Sequence, residues 1–140
     1  VCGIITGRRH PTTVERAKNL GFKYMYQGFL TKIGPLNDIL EKEQLSPEQV
    51  AYIGDDINDI PLLKEVGFAA TVHNALECVK QHAHYITQRT GGDGAYREII
   101  DFILNAQGKL APLLEQVEAS AWTAGKKPEM QIVTSQEGIN

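Results

Sequence analysis

No apolar run in the 140-residue chain is long enough to cross a membrane; the apolar stretches are short and interrupted. Nothing in it resembles a signal peptide. No basic stretch exceeds two residues and the net charge is -3. A nucleic-acid partner therefore has no electrostatic footprint here. Cysteine is scarce: Cys2 and Cys78 lie far apart, each in an apolar context. They predict free, buried thiols in a reducing compartment, hence a cytoplasmic protein, with no bridge indicated. The four histidines build no zinc site. His82 and His84 are two apart, so on a helix they would not share a face, and no cysteine or acid completes the spacing. A serine or cysteine nucleophile with a base beside it is also missing. There is no internal repeat and no low-complexity tract.

What is present has the composition of an ordinary globular domain, 42% apolar and 22% charged. Val50 to Asp59, read as VAYIGDDIND, organises the rest. Val50 to Ile53 is an uncharged apolar run, as suits a parallel strand buried on both faces. Gly54 ends it with a tight turn. Asp55, Asp56 and Asp59 then crowd carboxylates at the end of the strand, where open α/β sheets bind ligands. Acids so close repel one another unless a cation sits among them, and magnesium takes oxygen ligands. A plainer reading stays open: Asp56 caps a helix and Asp59 faces water near its positive end.

Along the chain, strands are predicted over Val1–Ile5, Lys23–Gln27, Val50–Ile53, Phe68–Val72 and Tyr85–Thr87. Helices are predicted over Pro11–Leu20, Ile33–Lys42, Ile60–Val66, Ala75–Gln81, Tyr96–Leu104 and Leu110–Ala121. Ser46, Pro47 and Gln49 read as a cap and short turn, and Asn74 as the cap of the helix after it. The alternation predicts an α/β fold, a three-layer sandwich with a mostly parallel Rossmann-like sheet. Residues 1–107 form the core, and 108–140 a C-terminal helix followed by a polar tail. The tail is either disordered or an arm onto a partner. The chain opens inside a strand-like run, which suggests sequence upstream of Val1.

In a parallel sheet, three loops converge: Thr6-Gly7-Arg8, Gly28 to Lys32, and Asp55 to Asp59. They bring a hydroxyl with open amides, a lysine and a carboxylate cluster, a set suited to phosphoryl transfer. Thr6 could bind a phosphate oxygen or satisfy a loop amide. Lys32 could compensate phosphate charge or be solvated. Arg8 and Arg9 could be surface charges. Gly91, Gly92 and Gly94 could admit an anion or form a turn, with Arg89 and Arg97 flanking them; Glu98 could pair with Arg97.

These pieces resemble the haloacid-dehalogenase-type phosphatases, and more closely the 3-deoxy-D-manno-octulosonate 8-phosphate phosphatase group. The resemblance runs from Val1 to Leu104 and rests on IITGR at Ile4–Arg8, YQG and the following lysine at Tyr26–Lys32, IGDDIND at Ile53–Asp59, and GGDGAYRE at Gly91–Glu98. It implies that Thr6 binds the transferring phosphoryl group, and that Lys32 bridges phosphate and nucleophile. It makes Asp55 the main protein ligand of Mg2+, with Asp56 and Asp59 supporting its waters and Lys32. Gly7, Arg8, Arg89 and Arg97 become candidates for binding the sugar acid. It further implies a homotetramer and a place in lipopolysaccharide biosynthesis. The implied substrate is 3-deoxy-D-manno-octulosonate 8-phosphate; the alternatives are a nine-carbon sialic-acid-type phosphate or a non-catalytic assembly domain. The family's DxDGxxTDG motif, which carries the aspartate nucleophile and acid/base, is absent from the 140 residues. An upstream segment with the central strand is the expectation, and the chain alone is expected to be inactive.

Overall fold

The computed structural model describes residues 1–136. Six strands alternate with helices: β1 (Gly3–Thr6), α1 (Pro11–Leu20), β2 (Tyr24–Gln27), α2 (Ile33–Glu43), β3 (Ala51–Ile53), α3 (Ile60–Glu65), β4 (Phe68–Thr71), α4 (Glu77–Lys80), β5 (Tyr85–Ile86), α5 (Ala95–Ala106), α6 (Leu110–Glu118) and β6 (Gln131–Thr134). All pairings are parallel. The predicted α/β sandwich is present, with its strands in two sheets of three, ordered β1-β2-β6 and β3-β4-β5. Among the described residues no strand pairs with the inner edge of β1 or of β3.

One core nevertheless joins the two halves. Leu36 and Leu40 of α2, Leu62 and Leu63 of α3, Val66, Ala69 of β4 and Val79 of α4 are buried together. Ile5 of β1 and Tyr52 of β3 pack against them. The spacing explains the α2 face: Leu36 and Leu40 are one helical turn apart and point the same way. Thus β1 and β3 share a core without sharing hydrogen bonds.

Local chemistry sets the element ends. Pro11 opens α1 and Gly21 closes it in the left-handed region, its N–H returning to the last carbonyls. Ser46 N–H donates to Gln49 Oε1 at 2.9 Å, half of the predicted capping box. Gly67, just past α3, is constrained by contact. A Cβ there would lie 2.0 Å from the Glu48 carbonyl oxygen, because the turn at Pro47–Gln49 closes onto the start of β4.

Three expectations need correction. Cys2 and Cys78 are free but exposed; Cys2 precedes β1, and on the single turn of α4 it is the neighbouring Val79 that faces the core. Asn74 does not cap α4; its Oδ1 accepts the Gly91 N–H at 2.7 Å. The C-terminal tail contains a strand. Gln131–Thr134 pairs with the outer edge of β2, and Lys127 Nζ donates to the Asn19 carbonyl at 2.6 Å. Its backbone pairs with an edge of β2 that would otherwise be open. Residues 137–140 of the tail lie outside the described residues.

Replacing Gly67 by Ala should lower stability by about 1–3 kcal/mol, since the added carbon meets backbone rather than a movable side chain. A urea unfolding midpoint unchanged from the parent would contradict that contact.

Candidate phosphate and metal site

Lys32 and Asp59 meet in the interior, only 9% and 3% exposed. Lys32 follows β2 and donates Nζ to Asp59 Oδ1 in a close ion pair. The Tyr52 hydroxyl, from β3, donates to the same oxygen at 2.6 Å. The other oxygen, Oδ2, accepts the Asp55 and Asp56 N–H groups, each at 3.1 Å. A carboxylate offers about four acceptor positions, so Asp59 is saturated. Burial pushes its carboxyl up, but the Lys32 and Tyr52 hydrogen bonds outweigh that and hold it below its ordinary value. Burial pushes the Tyr52 phenol well up, and the Asp59 charge adds to this, so the hydroxyl stays a neutral donor. Gly54 makes the arrangement possible: a Cβ there would sit 2.4 Å from the Asp59 Cβ.

The acids therefore divide their work. Asp59 is consumed by holding Lys32 and the 55–56 backbone. Asp56 caps the turn at Ile57–Asp59, its Oδ1 accepting the Ile57 N–H at 2.7 Å. Asp55 is exposed and its carboxylate has no hydrogen bond to the described residues. Asn58 Oδ1 is buried without a hydrogen-bond partner among them. Two uncommitted oxygen groups thus lie three positions apart in one loop. They suit a hard divalent cation that completes its shell with water and phosphate. Among the described residues no group of three His, Cys, Asp or Glu side chains is placed to hold a metal. This loop thus presents Asp55 and Asn58 as two oxygen donors.

Thr6 ends β1. Its Oγ1 accepts the Arg8 N–H at 3.1 Å, leaving the hydroxyl proton for another acceptor, and its carbonyl accepts the Phe29 N–H at 3.0 Å. The Phe29 bond ties the Thr6 end to the loop leading into Lys32. Gly7 is half-buried beside Leu30, and Arg8 is exposed. Arg9 turns outward from β1 to donate to the Ser135 carbonyl beyond β6.

The glycine-rich loop is held from two sides. Asn74 takes the Gly91 amide, and Glu98 accepts the Gln88 N–H at 2.9 Å, the Arg89 N–H at 3.1 Å and the Tyr85 hydroxyl at 2.8 Å. The Gln88 bond contributes most to holding the Glu98 carboxyl below its ordinary range. Arg89 is exposed against Gly94. Arg97 does not pair with Glu98. Adjacent residues on a helix point apart, and Arg97 Nε donates at 2.7 Å to Asp101, one turn on. This places Arg97 on the surface of α5, away from the Asp59 cluster's hydrogen bonds. Tyr52, Glu98 and Asn74 are organisers whose roles the sequence motifs do not mark. Tyr52 carried one signal, a single polar tip inside an otherwise aliphatic strand.

Residues 12–99 match the haloacid dehalogenase-like hydrolase family. The chain belongs to that family. Lys32 and the three acids fall inside the matched segment, and Thr6 lies just before it. Among similar proteins, the 3-deoxy-D-manno-octulosonate 8-phosphate phosphatase KdsC of Yersinia pestis is 46% identical over 107 residues. That match takes in 76% of this chain and 57% of the relative. The chain thus spans little more than half the length of that relative. A crystal structure of a probable YrbI family phosphatase from Pseudomonas syringae pv. phaseolica superposes with a TM-score of 0.80 at 43% identity, over 84% of this chain and 66% of that one. The 3-deoxy-D-manno-octulosonate 8-phosphate phosphatase from Moraxella catarrhalis, in complex with magnesium, phosphate and KDO, also gives 0.80. It is 36% identical over 82% of this chain and 66% of that one. Among the described residues of this haloacid dehalogenase-like chain, no helix is long and apolar enough to cross a membrane.

Asp59→Asn should cost about 3–5 kcal/mol at neutral pH, because it leaves the buried Lys32 charge uncompensated. The Asp59 contribution is complete above the unfolded carboxyl value, about 3.9, and is lost as pH falls from there through the lower folded value. The variant should therefore show a shallower acid limb below about pH 4. Urea midpoints taken stepwise from pH 7 to pH 3 check both effects; an unchanged acid limb would remove Asp59 from the ion pair.

Proposed function

We propose that this chain forms the phosphate- and magnesium-binding part of a phosphatase acting on 3-deoxy-D-manno-octulosonate 8-phosphate. The observation that carries this reading is the linkage of Lys32, through Asp59, to the backbone of Asp55 at the carboxyl ends of parallel strands. Thr6 ends the strand beside β2, so hydroxyl, ammonium and uncommitted carboxylate follow β1, β2 and β3. The names of the similar phosphatases support the substrate, and the bound magnesium and phosphate of the Moraxella catarrhalis protein support the ligands.

In this reading Thr6 donates its hydroxyl proton to a phosphoryl oxygen. Lys32 offsets the charge that grows on the transferring group, held in place by Asp59. Asp55 and Asn58 would hold the cation. Magnesium, when bound, lowers the repulsion between phosphate and an approaching anionic nucleophile. Asp56 keeps the loop in shape. The Gly7 amide, Arg8 and Arg89 recognise the sugar acid. The surface pairing with Asp101 gives Arg97 the weakest claim of that group.

The attacking aspartate and the proton-donating acid belong to the DxDGxxTDG segment, which the 140 residues do not include. The unpaired inner edges of β1 and β3 favour a strand inserted between them. Its carboxyl end would emerge between Thr6 and Asp55. The same reading carries a homotetramer working in the cytoplasm.

A sugar-phosphate panel tests this on the protein that joins this chain to the nucleophile segment. The expected result is magnesium-dependent phosphate release, greatest with the eight-carbon acid. Asp55→Asn should raise the magnesium required and depress turnover, and Lys32→Ala should lower kcat about 10²–10³-fold. Faster hydrolysis of a nine-carbon acid phosphate would change the substrate. No hydrolysis of any sugar phosphate would leave an assembly domain.

A further inference from the structure

We propose that Tyr52 is a positioning residue that couples the cation site to the phosphate site. This deepens the phosphatase reading and rests on it for the identity of the two ligands. The geometry itself does not depend on that reading.

The Tyr52 hydroxyl and the Lys32 ammonium share one oxygen, Asp59 Oδ1, and the hydroxyl lies 3.5 Å from Lys32 Nζ. The opposite oxygen of the same carboxylate holds the Asp55 and Asp56 amides at 3.1 Å each. The carboxylate is rigid and planar, so rotating it to favour one oxygen's partners displaces the other's. Tyr52 sits on β3, three residues before Asp55. Its hydroxyl therefore returns the carboxylate to the same strand that carries the metal loop. Strand, carboxylate and loop backbone close a ring with Lys32 attached to it.

Without the hydroxyl, Asp59 keeps its charge partner but loses its anchor to the strand. The carboxylate is then free to follow the flexible lysine stem. The Asp55 and Asp56 amides lose their fixed acceptor, and the Asp55 carboxylate loses its aim. Outer-shell partners of this kind tune metal affinity about 10–100-fold. A hydroxyl that only satisfied its own burial would have no reason to share an acceptor with the ammonium. Nor would that acceptor need to hold the two amides of the metal loop.

Tyr52→Phe tests the coupling on the chain as it stands, since it keeps the ring and its packing. Three signals are compared by NMR: the Lys32 ammonium resonance, hydrogen exchange at the Asp55 and Asp56 amides, and hydrogen exchange at buried Leu62 and Val79 as a control for global stability. Mn2+ affinity is measured alongside by paramagnetic relaxation. The expected result is a broadened or lost ammonium signal, at least tenfold faster exchange at 55 and 56 beyond any change at 62 and 79, and about tenfold weaker Mn2+ binding. An unaltered ammonium signal with exchange that rises equally at all four amides would overturn the proposal, leaving Tyr52 a purely structural residue. Equal Mn2+ affinity in the two proteins would also overturn it. Failure of both proteins to bind Mn2+ would count against the phosphatase reading alone; the ammonium and amide signals then decide the coupling by themselves.

Discussion

One buried carboxylate carries the strain of this design. Asp59 accepts a lysine from the loop after β2, a tyrosine from β3 and two backbone amides of its own loop. An ion pair this deep is costly to desolvate, and it persists because every lone pair is used. The need for that approach dictates Gly54, where any side chain would collide with Asp59. It also links the two half-sheets. Lys32 belongs to the β1-β2-β6 half, and Asp59 and Tyr52 belong to the other.

Elsewhere the same logic appears at smaller scale. Glu98 holds the turn after β5 by accepting two amides and a tyrosine hydroxyl, and Asn74 holds the glycine loop by one amide. In each case a short polar side chain fixes a loop that has too few apolar contacts to fix itself. On the far edge, β6 closes the β2 ladder, and Arg9 reaches past Gly28 to the carbonyl of Ser135. The loops that carry the candidate chemistry are thus braced by hydrogen bonds, while the two halves are joined by the common apolar core.

Much of the architecture was legible because it rests on local patterns. Pro11 and Gly21 bracket α1 through their own backbone limits, and Leu36 and Leu40 mark the inner face of α2 by period alone. Asp56 was readable as a cap. The division among Asp55, Asp56 and Asp59 came only from the family resemblance, because three like residues in one turn look alike until the donors to each are counted. Arg97 and Glu98 show the same limit: adjacency in sequence suggested a pair, and helix geometry sent each to a different partner. The strand in the polar tail was missed because its edge position needs no buried run.

What the residues determined by themselves was the alternation of strands and helices, the loops that meet at the carboxyl ends, and the family to which IGDDIND, YQG and GGDGAYRE belong. These depend on backbone preference, periodicity and short spacings, all written within a few residues. Only the tertiary structure decided that Asp59 is spent on Lys32 and Tyr52, that Asp55 is left uncommitted, and that β1 and β3 face inward without a shared ladder. Such outcomes depend on which distant donors the packed fold brings within reach of a given oxygen, and on burial that strengthens the contact. No local pattern encodes either quantity.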